Sequence, residues 1–451
     1  MTMCLKEKNK IMKIIKLTTG ILGILFSTVS FGASIDHVQN LSMEYNANPA
    51  QQGAISPGSS PYFNPAGLMQ LENGNYFGVG LQLAIGEEKM EYGGKEYKSE
   101  LLEPMPNVSF VNKNDERAWY WTLGGIGGGG DLEYEDGVAG IGFLTDLEVS
   151  GMSPVTSVND NYAEGSNKYI QSTLGRAWFV TDKISVSAAG RLVYGMRSLV
   201  AEADLTLLNG DDESISIDSE RTAWGYGGQF GMNYKATEKL NIGMRYDTRI
   251  VMEFEADADE TYVNSYLGSV FDSIPNLGNG DGYFGISDFY PEYADGVKMR
   301  RDLPAVVAIG ASYAVNDRWN LYAGGNYYFN KDADMDREVE EANSNYENGW
   351  ELAAGSEYWL NNKWAWLIGV NYAYTGAPEE TYDDVEYALN SIMLGTGFKY
   401  RQSETTEWVV SVANYWYEGN EGIYSEDYGT EENQKYDKSI VSVGVGLTKK
   451  F

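Results

Sequence analysis

Five arginines stand where their chemistry could matter: Arg191, Arg197, Arg221, Arg245 and Arg249. They fall on three successive stretches of alternating sequence, 183–206, 214–236 and 239–256, and the alternation puts all five on one face. A guanidinium presents a planar fork that grips a carboxylate through two parallel hydrogen bonds. The chain has 33 Lys and Arg against 65 Asp and Glu, so a wall of cations is a local exception in an acidic molecule. One reading makes the wall a receiver for a carboxylate head group. The other pairs it with acids on the same face, such as Asp247 and Glu253, or with the N-terminal segment. Both stay open at this level.

Other chemistries are narrower. The chain has one cysteine, Cys4, and one histidine, His37, which excludes zinc sites and His-based triads. His37 lies ahead of the alternating stretches, which leaves them no histidine base for a hydrolase, and no catalytic residue and no cofactor is expected. The acidic stretches, such as Asp211 to Glu213 and Glu426 to Glu432, lack the ligand order of an EF-hand loop, and no metal site is assigned. A net charge of −32 argues against nucleic acid, which needs a basic footprint.

The elements that must hold the arginines are strands. From Val441 to Phe451, Val441, Val443, Val445 and Leu447 share one face, and Ser442, Gly444, Gly446 and Thr448 the other. In 363–374, Trp364, Trp366, Ile368, Val370, Tyr372 and Tyr374 lie opposite Ala365, Leu367, Gly369, Asn371 and Ala373. Aromatics at both ends and aliphatics between make a membrane cross-section in one strand. In 239–256 the outward set is Leu240, Ile242, Met244, Tyr246, Ile250, Met252 and Phe254, and Arg245, Asp247, Arg249 and Glu253 point inward. A slip of one residue would put charges in lipid, at roughly 2–4 kcal/mol for each basic one near the midplane.

Fourteen such runs can be placed, from 75–86 to 437–451. Connections after even runs are short, as at Thr181-Asp182, Thr237-Glu238 and Asn361-Asn362. Those after most odd runs are long: 87–104, 126–166, 257–296, 331–347, 375–387 and 419–436. The expected fold is therefore all-β: a 14-stranded antiparallel transmembrane barrel over 75–451, with both termini at the periplasmic end. Mean hydropathy is only −0.37, because a membrane strand needs just about 9–11 residues, half of them apolar.

Residues 1–32 read as a signal peptide: Lys8, Lys10, Lys13 and Lys16, then the apolar run Leu17 to Phe31, with Ser30 and Gly32 before a cut at Ala33. Its removal takes five lysines and one glutamate, leaving 28 basic and 64 acidic side chains and no thiol. The mature protein is expected in the outer membrane of a diderm bacterium. Phe451 reads as the terminal assembly signal for the outer-membrane assembly machinery, with Lys449 making it irregular.

Residues 33–74 are too rich in Pro and Gly for membrane strands. They contain Asn48-Pro49-Ala50, Gly53-Ala54 and, just before the first strand, Tyr62-Phe63-Asn64-Pro65-Ala66-Gly67-Leu68. With the strand count, the Gly-rich third strand and Leu303-Pro304-Ala305 opening another, this segment resembles the FadL / TodX family of outer-membrane transporters over nearly the whole mature chain. The resemblance implies that 33–74 is a hatch plugging the lumen, with Asn64, Pro65, Ala66 and Gly67 as its motif. It implies passive uptake of long-chain fatty acids or other hydrophobic small molecules by a monomeric barrel. It also implies a sideways exit into membrane lipid at a kinked third strand. Gly124, Gly125, Gly127 and Gly128 are the candidates for that kink, since glycine permits bulges and positive φ. The alternative is a flexible start to the next loop. Two other functions fit the acidic loops: a cation-preferring diffusion porin and a surface adhesin.

Overall fold

A computed structural model of the chain describes residues 41–147, 152–264, 268, 270, 282–288, 290–334, 346–382, 384, 386–423, 425 and 431–451. The predicted signal peptide and residues 33–40 of the predicted hatch lie outside the described residues.

Fourteen antiparallel staves form one closed sheet. They are β1 (Gly74–Tyr92), β2 (Lys95–Lys113), β3 (Ala118–Tyr134), β4 (Val155–Phe179), β5 (Ile184–Leu207) and β6 (Asp212–Lys235). The seventh, β7, runs Leu240–Asp247 and resumes as Glu253–Thr261; β8 is Lys298–Arg300 followed by Val306–Asn316. Then come β9 (Trp319–Tyr328), β10 (Trp350–Trp359), β11 (Trp364–Tyr374), β12 (Ser391–Ser403), β13 (Thr406–Tyr417) and β14 (Lys435–Lys450). The barrel closes where β1 pairs with β14, from Tyr76↔Lys450 to Glu91↔Lys435. A closed sheet leaves no edge, which a bilayer requires.

The facing expected for 363–374 holds, with Trp364, Trp366 and Val370 exposed and Ala365, Leu367 and Ala373 buried. At the long-loop end the chemistry inverts without any change of register. On β5 the inward residues are Ser185, Ser187, Arg191 and Arg197, then Leu199, Ala201, Ala203, Leu205 and Leu207, all buried. Outward, Leu192 is exposed lower down, and Glu202 and Asp204 are exposed above. Below the crossover the strand is greasy outside and polar inside; above it the barrel is built like a soluble protein. On β5 the change comes near Arg197.

Two expectations are corrected here. The stretch 87–104 is not a loop. β1 and β2 continue through it and turn at Gly93 and Gly94, with φ of 58° and 73°. Outward alternation fails there because the extension stands in water, where Glu87, Lys89 and Lys98 face out. β3 and β4 likewise extend into the predicted loop 126–166, to Tyr134 and from Val155.

The second correction concerns β7. Gln229 pairs with Asp247, but Thr222 pairs with Glu255, so β7 carries one extra residue between the two pairings. Facing flips at this bulge. Arg249 and Glu253 point outward, while Ile250, Met252 and Phe254 are fully buried in the lumen. β8 shifts with β7, since Val306↔Asp247, Ile250↔Leu303 and Arg300↔Glu253 keep one register. Uninterrupted alternation hid the bulge, because both facings of 248–255 place some apolar residue on each side.

Candidate functional site

Residues 41–70 lie inside the barrel and are tied to its inner wall. They form α1 (Met43–Ala47), α2 (Ser60–Phe63) and a 3-10 turn, Pro65–Gln70. Asn64 caps that turn by accepting from the Gly67 amide at 3.2 Å, and Pro65 starts it, where its missing N–H costs nothing. The Asn64 Nδ2 also donates to Asn233 Oδ1 of β6 at 2.7 Å. Ser185 of β5 donates to Ala66 O at 2.6 Å. Ser312 of β8 donates to Gly53 O at 2.8 Å, and Asn46 donates to Ser411 Oγ of β13 at 3.1 Å.

Sequence reasoning missed what lets this segment seat. Inward glycines on several staves meet it with bare backbone. A Cβ on Gly243 would lie 2.0 Å from Gln52 O, on Gly355 1.9 Å from Asn48 Oδ1, and on Gly395 2.3 Å from Asn46 O. The signal was present as mid-strand glycines on the polar face, and alternation alone gives them no meaning.

Above the segment the arginines sit in two tiers. In the lower tier Arg191 donates from Nε to Gln171 Oε1 at 2.8 Å and from Nη1 to Thr248 O at 3.3 Å. Arg245 is ion-paired with Asp247 at 3.0 Å and donates to Tyr62 O of the inner segment. In the upper tier Arg197 pairs with Glu386, and Arg221 lies over the rings of Tyr293 and Phe254 at 5.0 and 5.5 Å. Between the tiers is an apolar box of Ile126, Tyr169, Val193, Ile250, Met252 and Phe254. A narrow cleft lined by Ile126, Tyr62, Thr122, Gln171 and Arg191 adjoins this box. Arg249 does not belong to the site. Its side chain is 45% exposed and reaches Asp302 at 3.7 Å, because the β7 bulge turned it outward.

The wall beside the box is incomplete. The β2–β3 ladder ends at Asn107↔Gly124 although both strands continue. Asn114 N donates to Arg117 O across the bottom turn, so even-numbered amides of β2 face β3. The next two such positions above Val108 are Pro106 and Pro104, which have no N–H to give. β3 shifts register against β4 between Gly125 and Gly127 and again between Gly127 and Gly130. Gly128 and Gly130 have φ of 112° and 83°, accessible to glycine but strained for other residues. Above the break, side chains on the inner face of β2 replace the ladder: Glu103 accepts from Asp131 N and Ser99 from Glu133 N, both at 2.8 Å. Gly124 thus ends the ladder, Gly125 and Gly127 bracket the first shift, and Gly128 lies within the second.

No curated protein matches the chain in sequence. Solved structures share its fold, these three among them. A Pseudomonas aeruginosa FadL homologue superposes with a TM-score of 0.66 at 14% identity, covering 93% of this chain and 100% of that one. The Pseudomonas putida toluene transporter TodX gives 0.60 at 18%, covering 87% and 94%. The Ralstonia pickettii toluene transporter TbuX gives 0.58 at 17%, covering 92% and 100%. The family model for the outer membrane protein transport protein family (OMPP1/FadL/TodX) matches residues 50–451, and the chain therefore belongs to that family of outer-membrane transporters.

Proposed function

We propose that this barrel carries amphipathic monocarboxylates of fatty-acid type passively across the outer membrane, with residues 33–74 as the plug. Transport of hydrophobic compounds is the activity of the family. The observation that carries the finer reading is the β7 bulge. It replaces Arg249 and Glu253 by Ile250, Met252 and Phe254 on the lumenal face and so gives a hydrophobic tail a dry place to rest. A buried guanidinium lies at the lower edge of that box. Arg191 is 5% exposed and hydrogen-bonded to neutral oxygens, whereas Arg245 has Asp247 and Arg197 has Glu386. In our reading Arg191 receives the carboxylate, the tail lies against Ile126 and Phe254, and the molecule leaves sideways between β2 and β3. Lipopolysaccharide excludes hydrophobic solutes, so delivery into the wall spares the cargo a passage through water.

The test is uptake of labelled hexadecanoate by cells whose only transporter of this kind is this protein. Uptake that depends on the barrel supports the reading. Uptake of toluene but not hexadecanoate would replace it with the second reading, a carrier of neutral aromatics. That alternative is favoured by the toluene transporters among the similar structures and by the acids that pair with Arg245 and Arg197. A large, steady conductance in planar bilayers would instead indicate an open porin.

A further inference from the structure

The upper arginine tier already holds a carboxylate, and it belongs to the chain itself. Arg197 on β5 and Arg301, in the break of β8, each donate an Nη2 to a different oxygen of Glu386. This is a two-point carboxylate clamp with one arginine per oxygen. Its members differ in kind. The Arg197 and Arg301 side chains are 3% and 6% exposed and rise from the barrel wall, whereas Glu386 is 22% exposed and hangs from the connection between β11 and β12. The receiving side is buried in the barrel wall; the occupant is partly exposed and sits on a connection. A narrow cleft beside the pair is lined by Gly130, Asn167, Arg197, Tyr293, Glu386 and Lys438.

The same short segment locks the outer cap. Asp384 accepts from Gly140 N at 2.9 and 3.0 Å and from Tyr290 OH at 2.5 Å, which gathers the β3–β4 and β7–β8 connections. Tyr387 accepts from Lys89 N at 3.1 Å and donates to Asp437 O at 3.1 Å, tying the segment to β1 and β14. The apolar cap beneath, including Leu101, Leu132, Ile141, Phe143 and Leu205, is closed over the lumen by these ties.

We propose that Glu386 is a built-in stand-in for the carboxylate of an incoming amphipathic acid, and that a ligand carboxylate displaces it from Arg197 and Arg301 to unlock the outer cap. The exchange breaks no covalent bond. One carboxylate replaces another on the same pair of guanidiniums, so the buried cations stay matched throughout. A neutral hydrophobe has nothing to exchange and leaves the latch closed. The inference rests on the reading of the cargo as an acid, but it concerns a site one tier above Arg191.

Spin labels at Glu379→Cys and Asp204→Cys, both exposed, report the distance from the latch connection to β5 in the full-length mature barrel in detergent micelles. Hexadecanoate is expected to lengthen and broaden that distance, and hexadecanol to leave it unchanged. Glu386→Gln is expected to show the longer distance without ligand. It should also bind hexadecanoate about tenfold more tightly, because the internal competitor is gone; a merely damaged fold would bind more weakly. Arg191→Gln is expected to keep the acid-induced movement, which separates this proposal from the lumenal head-group site. Equal responses to acid and alcohol, an unshifted Glu386→Gln, or loss of the movement with Arg191→Gln would each overturn the latch.

Discussion

Arg191, Arg245 and Arg249 look equivalent in the sequence, and their partners make them different. Arg245 has Asp247, Arg249 has been turned out to Asp302, and Arg191 holds a buried charge against the neutral oxygens of Gln171 and Thr248. A charge-assisted hydrogen bond contributes about 1.5–3 kcal/mol, so its loss should weaken carboxylate binding roughly 10- to 100-fold. Arg191→Gln is accordingly expected to cut hexadecanoate uptake by at least about tenfold at low concentration and to leave toluene uptake unchanged. Arg249→Gln should change neither. Paired uptake measurements on the two variants check this, and equal losses for acid and hydrocarbon would remove Arg191 from the head-group role. Part of this was legible from alternation, which placed Arg191, Arg197, Arg221 and Arg245 in the lumen. Alternation could not find Arg301, which lies in the break of β8, or Glu386 on a connection, because neither belongs to an uninterrupted run.

At the scale of the element, the β2–β3 seam has two causes, and the sequence displayed only one clearly. The glycines of β3 were visible as a run from Gly124 to Gly130. The donors missing from β2 depend on which neighbour each amide faces, and that required the bottom turn at Asn114 and Arg117. Replacing Pro104 and Pro106 together by Thr restores two N–H groups aimed at β3. Each new ladder bond contributes about 0.5–1.5 kcal/mol. The doubly substituted barrel is expected to resist heat as well as the wild type or better, while substrate uptake falls severalfold. Undiminished uptake with a normally folded barrel would mean that the seam is not the exit. The glycine belt makes a second element-scale prediction. Gly395→Val drives a side chain into the Asn46 carbonyl region, where even a Cβ lies at 2.3 Å. The plug should unseat while the barrel, whose outward face is unchanged, still assembles. Raised single-channel conductance and sensitivity to large antibiotics report that outcome.

At the scale of the molecule, the barrel is two structures stacked on one set of strands. The lower part is apolar outward and carries its plug on polar contacts; the upper part is apolar inward and is capped by its own loops. On the route proposed above, cargo passes the upper cap, the apolar box and the β2–β3 seam. Removing residues 33–74 while keeping residues 1–32 should therefore produce a leaky barrel that has lost its selectivity for hydrophobic cargo. Bilayer conductance and a hydrophilic-solute swelling assay measure this, and an unchanged, low conductance would show that the upper cap alone seals the lumen.

The sequence by itself determined the strand count, the closure, the side that meets lipid in strands without a bulge, and the Asn64-Pro65-Ala66-Gly67 turn. These follow from local periods: side chains alternate along a strand, lipid tolerates no charge, and turn residues have fixed conformational needs. Only the tertiary structure decided that one extra residue in β7 exchanges Arg249 for Ile250 in the lumen, that Pro104 and Pro106 face β3, and that Glu386 sits between Arg197 and Arg301. The reason is common to all three. A bulge, a missing donor and a buried ion pair are relations between strands, and the pattern along one strand carries no record of its neighbour's register.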